Sequence, residues 1–340
     1  MSPRTEIVYD YTEFSIEDMI AEEDVVITIS HSGFIKRTAA STYRRQGRGG
    51  KGVAGTSNRD DDFIEHMFIA STHHYILFFT NKGKCYWLKV HEVPEAGRTA
   101  RGRSIINLIQ KDKDEYISAF ITVKEFDDDH SIIMATRNGT VKKTSLSAYG
   151  NPRSTGIIAI NLVEGDELIE AAVTDGNNHV FLASRSGQAI RFSEADVRDM
   201  GRNSTGVRGI KLEDDDYVIG MVVSRAQGAV LVVSEGGYGK RADIADFRVI
   251  KRGGKGVIAM NVTEKTGKVM AMREVTEQDD IVIITARGMV IRQHVRDIRI
   301  MGRNTQGVRL INLNNGDHIA DISRLAEEED EEEFTKPAES

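Results

Sequence analysis

Cysteine is nearly absent: Cys85 is the only one in 340 residues. No intramolecular disulfide can form, and the expected setting is a reducing cytoplasm. Proline is scarce at four residues, and aromatic side chains make up 6% of the chain. So few rings argue against a platform on which single-stranded bases stack. No run of 18 apolar residues occurs, and residues 1–10 lack the charged-then-apolar layout of a signal peptide. Signatures of catalysis are missing as well. The nine histidines show no metal-ligand spacing, and His73-His74 reads as an adjacent pair in a strand or loop. There is no Gly-x-Ser-x-Gly elbow, and in the glycine-rich stretch 47–52 Lys51 is followed by Gly52, where a phosphate-binding P-loop needs Ser or Thr. Cys85 and Trp87 are expected to be packing residues in strands.

Charge of one sign is in excess, but only at one end. The formal net charge is −7, and residues 327–340 hold eight acids and one base, leaving 44 of each sign in the body. The chain is therefore a neutral globular body with an acidic tail, which is too polar to fold alone and is expected to be disordered.

Glycine, by contrast, is plentiful at 31 residues, and it keeps time. A β-branched run, a polar turn with glycine, and a second strand ending in a base recur six times: VVITISHSGFIKR at 25–37, YILFFTNKGKCYW at 75–87, SIIMATRNGTVKK at 131–143, HVFLASRSGQAIR at 179–191, AVLVVSEGGYGKR at 229–241 and IVIITARGMVIRQ at 281–293. The turn glycines are Gly33, Gly83, Gly139, Gly187, Gly237 and Gly288. A second series, Gly52, Gly102, Gly156, Gly206, Gly256 and Gly307, follows at a nearly fixed interval. Each unit of about 50 residues predicts a hairpin, a loop and further strands. One such sheet cannot bury both faces, so six are expected to stack around an axis as an all-β propeller-like disc. The units are placed at about 21–70, 71–125, 126–174, 175–224, 225–276 and 277–326. A lead-in covers residues 1–20, with a capping box at 15–18 and a closing strand near 6–9.

Bases and acids occupy different phases of the repeat. Residues 25–59 carry seven bases and no acid, 131–163 four bases and no acid, and 287–309 six arginines against Asp297. Repeated phase implies repeated position, so the bases should form a positive belt suited to the phosphates of duplex DNA, without base readout. The candidate contacts in this belt are Lys36, Arg37, Arg44, Arg45, Arg98, Arg101, Arg103, Lys142, Lys143, Arg191, Arg202, Lys240, Arg241, Arg252, Lys255, Arg292 and Arg303. A propeller enzyme or a protein-binding propeller is the competing class, since a fold does not fix a function. Steep weakening of binding by salt would separate DNA from protein as the partner.

The loop of the first unit carries a further likeness. Gln46-Gly47-Arg48-Gly49-Gly50-Lys51-Gly52 resembles the gyrase A box, matching six of its seven positions, with Gly47 where the family has a base. Decayed copies stand at the same phase at 98–102, 202–206, 251–256 and 302–307. Over about residues 5–325 the chain resembles the C-terminal DNA-wrapping domain of the DNA gyrase A subunit, the related topoisomerase IV domain being the alternative. The resemblance implies a six-bladed β-pinwheel, in which neighbouring blades exchange strands, with the box as a DNA contact. It implies a monomeric, non-catalytic domain that wraps duplex DNA with positive sense. Through the A2B2 holoenzyme with the gyrase B subunit it would support ATP-dependent negative supercoiling near the bacterial nucleoid, away from any membrane. ATP and Mg would bind elsewhere in that holoenzyme, leaving this chain with no cofactor and no metal of its own.

Overall fold

The computed structural model describes residues 19–30, 32–39, 64–97, 100–224, 228–287, 289–314 and 316–325. The box at 46–52, Arg44, Arg45, Arg98, Gly288, the lead-in before residue 19 and the acidic tail lie outside the described residues. Within them the chain forms strands joined by turns of 3-10 helix. No helix among them is long and apolar enough to cross a membrane.

Each of the six repeats supplies an antiparallel hairpin, as in Ser131–Thr136 with Thr140–Ser145, or Ala229–Ser234 with Tyr238–Asp243. A third long strand follows and pairs with the first hairpin strand: Leu168–Thr174 in the third repeat, Val269–Val275 in the fifth. These third strands line the axis, each beside the next, and the last, Ile319–Leu325, lies against the first, Ile64–Ser71. Phe68 and Phe120 stack between the inner strands of the first two blades, with ring centroids 4.4 Å apart.

The outermost strand of a blade comes from the following repeat. Val207–Arg208 of the fourth repeat pairs with Thr140–Ser145 of the third, and Val257–Ile258 of the fifth with Gln188–Ser193 of the fourth. Arg103–Ser104, Ile157–Ile158 and Val308–Arg309 do the same for the first, second and fifth blades. The further strands expected inside each unit are thus divided, one for its own inner edge and one for its neighbour's outer edge. The second glycine series makes this exchange possible. Gly206 and Gly256 have φ of 102° and 82°, and a Cβ there would lie 2.6 Å from the Val141 carbonyl oxygen and 2.4 Å from that of Ala189. A side chain would be strained by the backbone conformation and would push the exchanged strand off the neighbouring blade.

The apolar core lies between blades. In the strand Ser131–Thr136, Ile132 and Met134 pack with Leu77 and Phe79 of the second blade. Ile133 and Ala135 point the other way, into a cluster with Leu182 and Ile190 of the fourth. Burial on both faces explains why the first hairpin strands are continuous apolar runs with no polar alternation.

Candidate nucleic-acid interface

Six of the bases expected on the rim, all borne on hairpin strands, are inside the protein. Lys36, Lys142, Lys143, Arg191, Lys240 and Arg241 are all buried, with Lys142 and Lys240 at 0% exposure. Successive strand side chains leave from opposite faces of the sheet. A basic doublet at a strand end therefore cannot stand on the sheet's outer edge, and here the next repeat's loop covers it. Lys36 Nζ donates to the carbonyls of Gly97 and Ala100, at 3.3 and 2.8 Å. Lys142 Nζ donates to those of Ala159 and Arg202. Lys240 Nζ donates to Gly302 and Arg303, at 2.9 and 2.5 Å, and to Thr305. Burial pushes Lys142 down to about 7 and Lys240 down to about 8.

In three repeats an arginine near the end of the second hairpin strand, Arg37, Arg191 or Arg241, grips the following repeat's 3-10 turn or its last cap residue. Arg191 Nη1 donates to the carbonyls of Ile244 and Phe247, at 2.9 and 3.0 Å, and Arg241 Nε to Ile298 at 2.6 Å. Half-buried Arg37 reaches Val93 through Nε at 2.7 Å, and Trp87 Nε1 takes the same part toward Tyr149 at 2.9 Å. Lys143 lies 3.8 Å from Asp199. These residues clasp one blade to the next. Buried or half-buried against protein oxygens, the bases among them are not presented at the outer edge.

The outer loops carry the exposed cations. Between the second hairpin strand of a repeat and its exchanged strand, the chain runs along the outer edge of the preceding blade, where Arg191 bridges Val249 and Arg241 bridges Ile300 in parallel. Arg198, Arg248 and Arg299 are exposed at one phase of these loops, and Arg208 and Arg309 are exposed on the exchanged strands that end them. Arg101, Arg103, Arg153, Lys251, Lys255 and Arg296 are exposed as well. Lys255 pairs with Glu213 at 3.2 Å, and Arg292 is held by buried Asp280 at 2.5 Å. Arg202, Arg252 and Arg303 are half-buried beneath the exposed row. Of the belt predicted from the sequence, the structure thus brings Arg101, Arg103, Arg202, Arg252, Lys255 and Arg303 to the outer edge. Arg198, Arg248 and Arg299 were missed, although a recurring acid–apolar–arginine triplet, Asp196-Val197-Arg198, Asp246-Phe247-Arg248 and Asp297-Ile298-Arg299, marks them in the sequence.

Six blades, five of them completed by a strand from the following repeat among the described residues, carry a basic outer edge. The family described as "DNA gyrase C-terminal domain, beta-propeller" matches in six blocks, at residues 24–71, 74–124, 130–175, 178–225, 229–276 and 279–326. The chain belongs to this gyrase C-terminal domain family. It is 55% identical over 318 residues to the DNA gyrase A protein of Halalkalibacterium halodurans, covering 94% of this chain and 38% of that protein. With the DNA gyrase A protein of Escherichia coli (strain K12) it shares 44% over 331 residues, covering 97% and 38%. The chain therefore spans about two-fifths of the length of these relatives. Among solved structures, a topoisomerase IV C-terminal domain matches with TM-score 0.76 at 28% identity, covering 91% of this chain and 95% of that one. A gyrase A C-terminal domain matches with TM-score 0.72 at 27% identity, covering 89% and 99%. The expected six-bladed β-pinwheel is the observed fold. It is common to both kinds of topoisomerase, so the shape alone does not separate them.

Proposed function

We propose that this gyrase C-terminal domain wraps duplex DNA around its outer edge with positive sense. It acts as the non-catalytic part of a gyrase A protein, in an A2B2 assembly with gyrase B in the bacterial cytoplasm. By presenting the downstream duplex for passage, it lets an ATP-driven holoenzyme introduce negative supercoils. The observation that carries this reading is the arginine row on the outer loops, repeated in each of the last three repeats. Arg198, Arg248 and Arg299 make no ion pair among the described residues. A cation without an acidic partner is available to a phosphate, and each phosphate neutralised releases condensed counterions. Bending a site of 20–30 base pairs by 40–90° costs of order 1–6 kcal/mol. A convex edge bearing regularly spaced cations can offset that cost, whereas a single patch cannot. The box at 46–52 is proposed as an additional contact on the same grounds of charge and family likeness.

The test is ligation of nicked circular plasmid in the presence of the chain, followed by resolution of topoisomers. The linking number should shift in the positive direction with protein dose. Affinity for long duplex should fall roughly 10³–10⁵-fold between 50 and 200 mM salt if 6–10 phosphates are engaged. A shift of opposite sign, or none at saturation, rejects wrapping as described. Binding to a protein partner would show no such salt slope.

A further inference from the structure

Three arginines of the outer loops do something the exposed row does not. Arg202, Arg252 and Arg303 each stand four residues before the second glycine of their repeat. Arg202 Nη1 donates to the carbonyl of Ile158 at 3.1 Å, Arg252 Nη1 to that of Arg208 at 3.1 Å, and Arg303 Nη1 to that of Ile258 at 3.0 Å. Every acceptor is the second residue of an exchanged strand on the preceding blade. The guanidinium thus crosses from one blade's outer loop to its neighbour's edge. Backbone bonds run beside it across the same seams: Asn161 N to Ser204 O at 3.1 Å, Lys211 N to Gly254 O at 2.8 Å, and Asn261 N to Thr305 O at 3.1 Å. In two cases the arginine's own carbonyl is gripped from below, by Lys142 and by Lys240.

A guanidinium has five N–H donors in one rigid plane. Arg202 and Arg303 each use one toward the neighbouring blade, and Arg252 uses a second, from Nε to the Asp196 carbonyl at 2.8 Å. Among the described residues none of the three meets a carboxylate, so their charge is not neutralised by the protein.

We propose that Arg202, Arg252 and Arg303 are the positioning residues of wrapping. Each locks the joint between two blades through an edge carbonyl and turns its remaining donors to a DNA phosphate, so the arc of contacts is set before DNA arrives. The inference rests on the wrapping reading. It also explains a sequence preference for arginine at this phase: lysine, a compact charge without a planar fork, cannot hold a carbonyl and a phosphate in fixed relation. The third repeat has Pro152 at this phase, so the joint between the first two blades lacks the clamp.

The triple variant Arg202→Lys, Arg252→Lys, Arg303→Lys keeps every charge and loses the fork. Two measurements on the same preparation test it: fluorescence anisotropy with a 20-base-pair duplex, too short to wrap, and the topoisomer shift on ligated plasmid. The short-duplex Kd should stay within about twofold of the parent, because the number of cations is unchanged, while the linking shift per bound protein should fall to half or less. An undiminished shift overturns the proposal. So does an equal loss in both measurements by a protein with unchanged circular dichroism, since that marks plain phosphate contacts. If the triple variant unfolds, the three single variants are measured, each expected to remove part of the shift at constant short-duplex affinity; singles that match the parent count against the clamp. Failure of the parent chain itself to shift the plasmid would instead reject wrapping.

Discussion

At the scale of the residue, the informative groups are lysines that the protein keeps from solvent. Lys142 and Lys240 sit between sheet and outer loop, with pKa values held near 7 and 8 by burial, and Lys36 is lowered for the same reason. In the unfolded chain a lysine titrates near 10.4. Between the folded and unfolded values the unfolded state therefore binds more protons, and stability must rise with pH across that window. Below about pH 7 both states are protonated and the cost of burying the charge is present in full; above about 10.4 it is gone. The urea midpoint is thus expected to climb from pH 7 to pH 9.5. In a Lys142→Met, Lys240→Met variant the climb should be shallower, whatever the variant's absolute stability. Equal slopes in the two proteins would mean that these ammonium groups are not strained by burial.

At the scale of the element, the clasp and the exchanged strand together decide which bases face outward. Arg191 anchors two carbonyls of the next repeat's turn, both inside the protein. Arg191→Met keeps the apolar stem but takes the donor from the Phe247 carbonyl, while that of Ile244 still accepts from the Phe247 amide, and a buried unpaired polar group costs about 1–3 kcal/mol. Chemical denaturation should register a loss of that order, while the salt slope of DNA binding stays as in the parent; a slope reduced by about one would return Arg191 to the phosphate contacts. The period, the hairpins and the place of the turn glycines Gly33, Gly83, Gly139, Gly187 and Gly237 were legible in the sequence, because glycine spacing and apolar runs report backbone demands directly. The fate of the basic doublets was not. Lys142 and Lys143 look like surface charge in the sequence, and only the covering loop, contributed 60 residues later by Arg202, makes one of them a buried anchor. The triplets ending in Arg198, Arg248 and Arg299 were legible but unremarkable until the outer loops were placed. The box at 46–52 rests on its sequence alone.

At the scale of the whole molecule, charge is distributed between an arginine-studded outer edge and an acidic C-terminal segment. The final strand, Ile319–Leu325, is the inner edge of its sheet, and the acidic segment follows it in the chain. Three strand spacings, about 14 Å, separate inner from outer strand. The acids at 327–333 lie within eight residues of Leu325, a fully extended reach of about 26 Å, which covers that distance. The seven consecutive acids at 327–333 can therefore compete with phosphates for the outer arginines at a high local concentration. Removing residues 327–340 changes the net charge from −7 to 0, which by itself raises affinity for DNA through long-range attraction. Competition requires more than that. The truncated chain should give a larger topoisomer shift at low salt, and its advantage should shrink as the screening length falls from about 10 Å at 0.1 M toward 3 Å at 1 M. Changing the seven acids to glutamine should reproduce the truncation, and shuffling their order should leave the parent behaviour intact. If the truncated and parent chains wrap equally at low salt, the acidic segment does not compete for the arginine-bearing edge.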